Sequence, residues 1–234
     1  MPHLSRADIE KMADGIILRY KQAFVPEKHL CYKVDPSALA FLYGFEIDYQ
    51  NLSKDGSILG VTSSGTIMTT VLDDGMKEMF YLLDGRTILV EKRLLCSPKN
   101  VGRRNFTIAH ELAHQIINRA YPEIYGSQSR TFCDYRRSTC PRSTSKDWYE
   151  WQADALAAAI LLPPDAVSDA MFMCGLDERM KVLSRKYSQN NYEHFCDMAN
   201  LLQVSRTTLA YRMEQLGLLE RNLLIQEAQA RKGA

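Results

Sequence analysis

Near the start of the chain, Ile9, Met12, Ala13, Ile16, Ile17 and Tyr20 recur at helical spacing, behind Ser5 with Asp8 three residues on. The spacing predicts an amphipathic helix over residues 5–24 with a capping-box-like start. Asp35-Pro36 opens a second, short helix that Gly44 stops, because proline is pre-organised for a first helical turn and glycine for the residue past the last. The period then falls from 3.6 to 2. Phe45, Ile47 and Tyr49 alternate with polar residues, and Ile58 to Thr62 and Thr66 to Leu72 are rich in apolar and β-branched residues, as strands are. Asp73-Asp74-Gly75 and Asp84-Gly85 are turn signals. They predict that Thr66 to Leu72, Lys77 to Leu83 and Arg86 to Lys92 pair in succession as an antiparallel meander.

From about Asn100 the pattern is helical again, broken by the polar, arginine-bearing stretch 121–146, YPEIYGSQSRTFCDYRRSTCPRSTSK, which reads as a long loop. N-terminal helices, a small antiparallel sheet and a run of helices give an α+β class. The expected organisation is a first domain over 1–165 that includes the insertion 121–146, a helical region over 166–219, and a polar tail over 220–234.

Composition changes this picture little. With 234 residues the chain can bury a proper core, and 29 Lys+Arg against 28 Asp+Glu give no overall electrostatic pull toward nucleic acid. The N-terminal stretch has no continuous apolar run, so neither a signal peptide nor a membrane span is expected, and the cytoplasm is the expected location. Six widely spread cysteines then read as free thiols. Cys133 and Cys140, the one close pair, fit no common zinc spacing.

The chemistry is concentrated in FTIAHELAHQII, residues 106–117. On a helix from about Asn100 to Arg119, His110 and His114 lie four apart and point the same way, so that both imidazoles can ligate one zinc ion. Glu111 is placed to act as general base toward the attacking water. Phe106, Ala109, Ala113, Ile116, Ile117 and Ala120 mark the buried stripe, which puts the histidines at the border of a cleft with Glu111 on its wall.

A catalytic zinc needs a third protein ligand. Downstream, DWYEWQADALAAAILLPP reads as a helix on which Glu150 and Asp154 share a face, with Ala153 and Ala157 small enough for close approach to the HELAH helix. Glu150 is the candidate third ligand and Asp154 a carboxylate orienting an imidazole N–H. Two alternatives stay open: Glu150 as partner of an Asp147 cap, and His194 as the ligand instead. Tyr149 and His194 are candidates for stabilising the oxyanion.

HELAHQ followed by E-x-x-A-D-x-x-A-x-x-x-L-L-P, Glu150 to Pro163, resembles the ImmA/IrrE-type zinc metallopeptidases, soluble relatives of the thermolysin-like enzymes. The preceding DGRTILVEKRLLCSPKNVGRRNFTIAHE is similar to that family's strand, connection and metal helix. The resemblance covers about residues 35–165 and extends toward Leu219. It implies a zincin-like fold, zinc on His110, His114 and Glu150, Glu111 as catalytic base, and a helix-turn-helix repressor as protein substrate. The stretch between His114 and Glu150 is longer than the family pattern. A thermolysin-like cleft also implies an edge strand beside it, to which an extended substrate adds.

Met198 to Leu219 reads as helix, turn, helix, with Val204 in the turn and Ser205 as cap. If it met DNA, Arg206, Thr207 and Arg212 would be the contacts. From Asp177 to Gln215, however, six basic residues stand against five acidic ones, too balanced for the electrostatic footprint of a DNA-binding element. DNA is therefore not an expected partner, and Leu201, Leu202, Val204, Leu209 and Leu216 are expected to pack inward. The rival function is a DNA-binding or protein-binding regulator with a non-catalytic zinc site.

Overall fold

The computed structural model describes residues 4–25, 32–123, 132–136, 145–176 and 179–224. The chain divides into two compact units, Met1–Tyr20 with Asp35–Leu161, and Lys21–Val34 with Leu162–Ala234.

Helix α1 spans Arg6–Phe24. Ser5 and Asp8 close its first turn reciprocally: the Ser5 amide donates to the Asp8 carboxylate at 2.9 Å and the Asp8 amide to the Ser5 hydroxyl at 3.2 Å. The expected stripe of Ile9, Ala13, Ile16, Ile17 and Tyr20 is buried. Helix α2, Pro36–Leu42, starts where the Asp35 carboxylate accepts the Ser37 and Ala38 amides, and Gly44 leaves it at φ +77°.

Six strands follow: β1 (Glu46–Gln50), β2 (Ile58–Ser63), β3 (Thr66–Leu72), β4 (Glu78–Asp84), β5 (Thr87–Glu91) and β6 (Phe132–Arg136). The α+β class holds, but the expected meander does not. β3 and β4 pair antiparallel as a separate ribbon, whereas β5 leaves them and enters a four-stranded sheet of order β1-β5-β2-β6. β5 runs parallel to β1 and antiparallel to β2, so this sheet is mixed. The reason lies in the side chains of β5: Ile88, Leu89 and Val90 are each 0% exposed. A continuous apolar run suits a central strand covered on both faces and not the end of a solvated meander. β4 by contrast exposes Met79, Phe80 and Leu82.

The reading of 121–146 as loop is also corrected. Phe132–Arg136 forms β6, antiparallel to β2. An edge strand is held by backbone pairing and needs no apolar alternation, which is why the pattern did not announce it. Cys140 lies outside the described residues.

Helix α3, Val101–Ala120, lies against β2, β5 and β6 and against helix α4, Ser145–Leu161. From Thr107 to Asn118 every residue of α3 is buried, so it is a core helix and not a surface helix with one wet face. Ala153 and Ala157 of α4 are 0% exposed, as close approach of the two helices requires.

In the second unit, helix α5 (Pro164–Met173) precedes β7 (Met180–Leu183), α6 (Gln189–Leu201), α7 (Arg206–Gln215) and β8 (Leu219–Asn222). β7 and β8 pair in parallel; at four residues each they are too short to show a period. Ser205 caps α7 by accepting the Thr208 amide at 3.0 Å. Leu202, Val204 and Leu209 are buried as expected, while Leu201 is 39% exposed and Leu216 is half-buried. Arg212, a contact only if the helix pair met DNA, is 1% exposed, with Nε donating to the Leu162 carbonyl at 3.0 Å. No single helix among the described residues is long and apolar enough to cross a membrane.

Candidate active site

His110 and His114 sit one turn apart on α3, and Glu150 projects from α4. His110 Nε2 lies 3.0 Å from His114 Nε2 and 3.2 Å from Glu150 Oε2, and His114 Nε2 lies 3.6 Å from the same oxygen. Two nitrogens and one carboxylate oxygen thus form a nearly regular triangle. Tetrahedral zinc with ligand bonds of about 2.0–2.1 Å places its ligand atoms roughly 3.3 Å apart, so the donor set fits that ion in identity and spacing. Two imidazole lone pairs aimed at one point also repel unless a proton or a cation lies between them. Among the described residues the cluster contains these three ligands and no fourth.

Asp154, one turn beyond Glu150, accepts from His110 Nδ1 at 3.0 Å, the orienting role expected of it. This bond fixes the tautomer that turns Nε2 toward Glu150. His114 is oriented differently. Its ring packs on Tyr149, centroids 4.4 Å apart, and its Nδ1 is buried with no hydrogen-bond partner among the described residues.

The charge state follows from these contacts. Burial opposes a proton on His110, but the carboxylates of Asp154 and Glu150 outweigh it and raise its pKa to about 10. Burial and the neighbouring His110 charge push His114 below its ordinary value, although Glu150 pulls the other way. Burial would also raise Glu150, yet the hydrogen bonds from the two imidazoles prevail and hold its carboxyl far below the usual range. Without metal, His110 therefore holds its proton more tightly, and Glu150 and His114 more weakly, than the free groups do.

Asp147 and Glu150 both lie in α4. The helix begins at Ser145, which leaves Asp147 inside it and not at a cap, and the Glu150 carboxylate is turned to the histidines. His194 belongs to the second unit, where its Nδ1 donates to the Gly175 carbonyl at 3.3 Å. The Tyr149 hydroxyl is likewise engaged, donating to Asn118 Oδ1 at 2.7 Å.

The surroundings of Glu111 differ from expectation. His110, Glu111 and His114 are each 0% exposed, so they do not line an open wall. Gly60 of β2 covers Glu111: a Cβ built there would come within 2.6 Å of Glu111 Oε1, 2.8 Å of its Cγ and 2.7 Å of Thr107 Cγ2. Only glycine lets the strand pass this close. Gln115 fastens the same strand from below, its amide donating to the Thr62 hydroxyl and, at 2.7 Å, to the Ser63 carbonyl. Gly60 and Gln115 escaped the sequence reading. Gln115 had the weak signal of standing next to His114, and Gly60 had none, because its partner is 51 positions away in the sequence.

A helix pair that converges two histidines and a glutamate beneath a mixed sheet, with a glutamate between the histidines, defines a metallopeptidase-type, zincin-like domain. The family model of the IrrE N-terminal-like domain, Peptidase_M78, matches residues 67–214, well over half of the chain. The protein belongs to this peptidase family. No protein of curated function matches it in sequence.

Proposed function

We propose that the protein is a zinc-dependent endopeptidase acting in the cytoplasm on one protein or a few, with a helix-turn-helix repressor as the substrate class implied by the family. The observation that carries this reading is the nearly regular triangle of donor atoms from His110, His114 and Glu150 next to the buried Glu111. Among the described residues the site offers three donors, which would leave one coordination position for the reaction, whereas a structural site is closed by four. That difference favours an enzyme over a regulator with a non-catalytic zinc.

His110, His114 and Glu150 would hold the zinc ion, which when bound would polarise the scissile carbonyl and acidify the attacking water. The protein's own groups do the rest. Glu111 takes a proton from the attacking water and returns it to the leaving amine nitrogen. Asp154 keeps the proton of His110 on Nδ1, so that Nε2 presents its lone pair to the ligand position. Gly60 and Gln115 hold β2 against Glu111 and prevent it from swinging away. For α6 and α7, near-neutral charge and the burial of Arg212 support a role in packing or in holding a protein, not in reading DNA.

Purified protein should contain about one zinc per chain, and Glu150→Ala should empty the site. Glu111→Gln should keep the metal and slow cleavage of a co-incubated candidate repressor by roughly two to four orders of magnitude. A zinc-loaded Glu111→Gln variant cutting at the wild-type rate would refute the mechanism.

A further inference from the structure

β2 is the strand that touches the site, through Gly60 over Glu111 and through Thr62 and Ser63 on Gln115. A strand has two hydrogen-bonding edges. β5 takes one edge of β2, and β6 takes the other. The pairing with β6 is antiparallel and runs from Ser63 opposite Phe132 to Ile58 opposite Arg136, with an irregularity between Ile58 and Gly60. Tyr135 stands opposite Gly60 and Asp134 opposite Val61, so the Asp134-Tyr135 peptide passes at the level of Glu111. No extended peptide can pair with β2 while β6 is there.

We propose that the outer edge of β2 is the docking edge for an extended peptide and that β6, a segment of this same chain, is its resident occupant. The protein then rests self-occupied, and a partner must displace β6 to reach the site. This rests on the peptidase reading for its consequence, but not for its geometry. Backbone pairing carries little sequence information, so the protein's own strand is a general mimic of any extended substrate. β6 belongs to the segment joining α3 to α4, and tethering of this kind gives an effective concentration on the order of millimolar. A weakly pairing peptide is therefore excluded, and only a partner with further contacts competes. Selectivity for one protein substrate follows without a selective pocket.

The test uses the full-length zinc-loaded protein. Asp134→Pro and Tyr135→Pro, made separately, remove neighbouring amides, so one of them removes a donor that faces β2 whichever way the strand alternates. The probe is a fluorescein-labelled nonapeptide copying residues 130–138 with serine for the cysteine. In at least one variant, amide hydrogen exchange across Ile58 to Ser63 should quicken at least tenfold, the probe should bind at least tenfold more tightly than to the wild type, and hydrolysis of casein should rise. A Ser63→Cys/Phe132→Cys variant tests the same point without disturbing the fold: oxidised, it should refuse the probe, and reduced, it should bind it as the wild type does. Exchange and probe binding that respond while casein stays intact would uphold the occupancy and count against the peptidase. Unchanged exchange and probe binding in both proline variants, or an oxidised double-cysteine variant that still binds the probe, would overturn the proposal. So would proline variants that stay folded and hydrolyse less, because β6 would then be a platform for substrate.

Discussion

Gly60→Ala adds one methyl group at the closest contact between sheet and site. The new carbon would stand 2.6, 2.7 and 2.8 Å from Glu111 Oε1, Thr107 Cγ2 and Glu111 Cγ, against an optimum of about 3.5–4.0 Å between carbon atoms. Something must yield by roughly 1 Å. Glu111 is fully buried and has no solvent to turn into, and Gln115, one turn further along the same helix, ties β2 to α3. Overpacking of this kind costs about 1–3 kcal/mol, offset by about 0.4–1 kcal/mol from the stiffer unfolded chain. The melting temperature should fall by up to roughly 10 °C, at about 2–4 °C per kcal/mol for a protein of this size. Cleavage should fall about a hundredfold, as displacement of a catalytic group by about 1 Å does, while zinc content stays at the wild-type level. Two of the three clashing atoms belong to Glu111, so truncation of that side chain should relieve most of the strain. In a double-mutant cycle with Glu111→Ala, read by thermal melting, the coupling should be at least about 1 kcal/mol. Wild-type melting and rate in Gly60→Ala, or an equal cost with and without the Glu111 side chain, would refute the reasoning.

Three other outcomes follow from the site. Asp154→Asn keeps the size of the group that orients His110 but removes its charge, and competition with a chelator should find zinc affinity lowered about 10–100-fold with the fold intact. In metal-free protein His110 keeps its proton up to about pH 10, and zinc must displace it. Titration calorimetry at pH 8 in buffers of different ionisation heat should therefore find about one proton released per zinc, and affinity should rise with pH up to that value. The stability of the metal-free protein should run the other way. A His pKa raised above its ordinary 6.5 adds stability that is complete below that pH and is lost as pH rises toward about 10, which thermal melts across the range would measure.

The sequence by itself determined whatever is encoded locally. Ser5 with Asp8, and Asp35-Pro36 with Gly44, fix helix ends through backbone amides a few residues away, so those ends were legible. His110 and His114 are about one helical turn apart with Glu111 between them, and helix geometry alone sets the imidazoles side by side. Glu150 and Asp154 were legible for the same reason on their own helix. That the two helices bring Glu150 Oε2 to 3.2 Å from His110 Nε2 was a decision of the tertiary structure, as was the place of Asp147 inside α4. Strand pairing was also decided globally. The turn at Asp84-Gly85 points toward a meander, but burial of Ile88, Leu89 and Val90 on both faces of the sheet outweighs a two-residue preference and draws β5 to the centre. β6 is held by backbone hydrogen bonds, to which side-chain periodicity is blind. Gly60 matters through a side chain it lacks, against a glutamate on another element, and such an absence acquires meaning only when folding brings the two together.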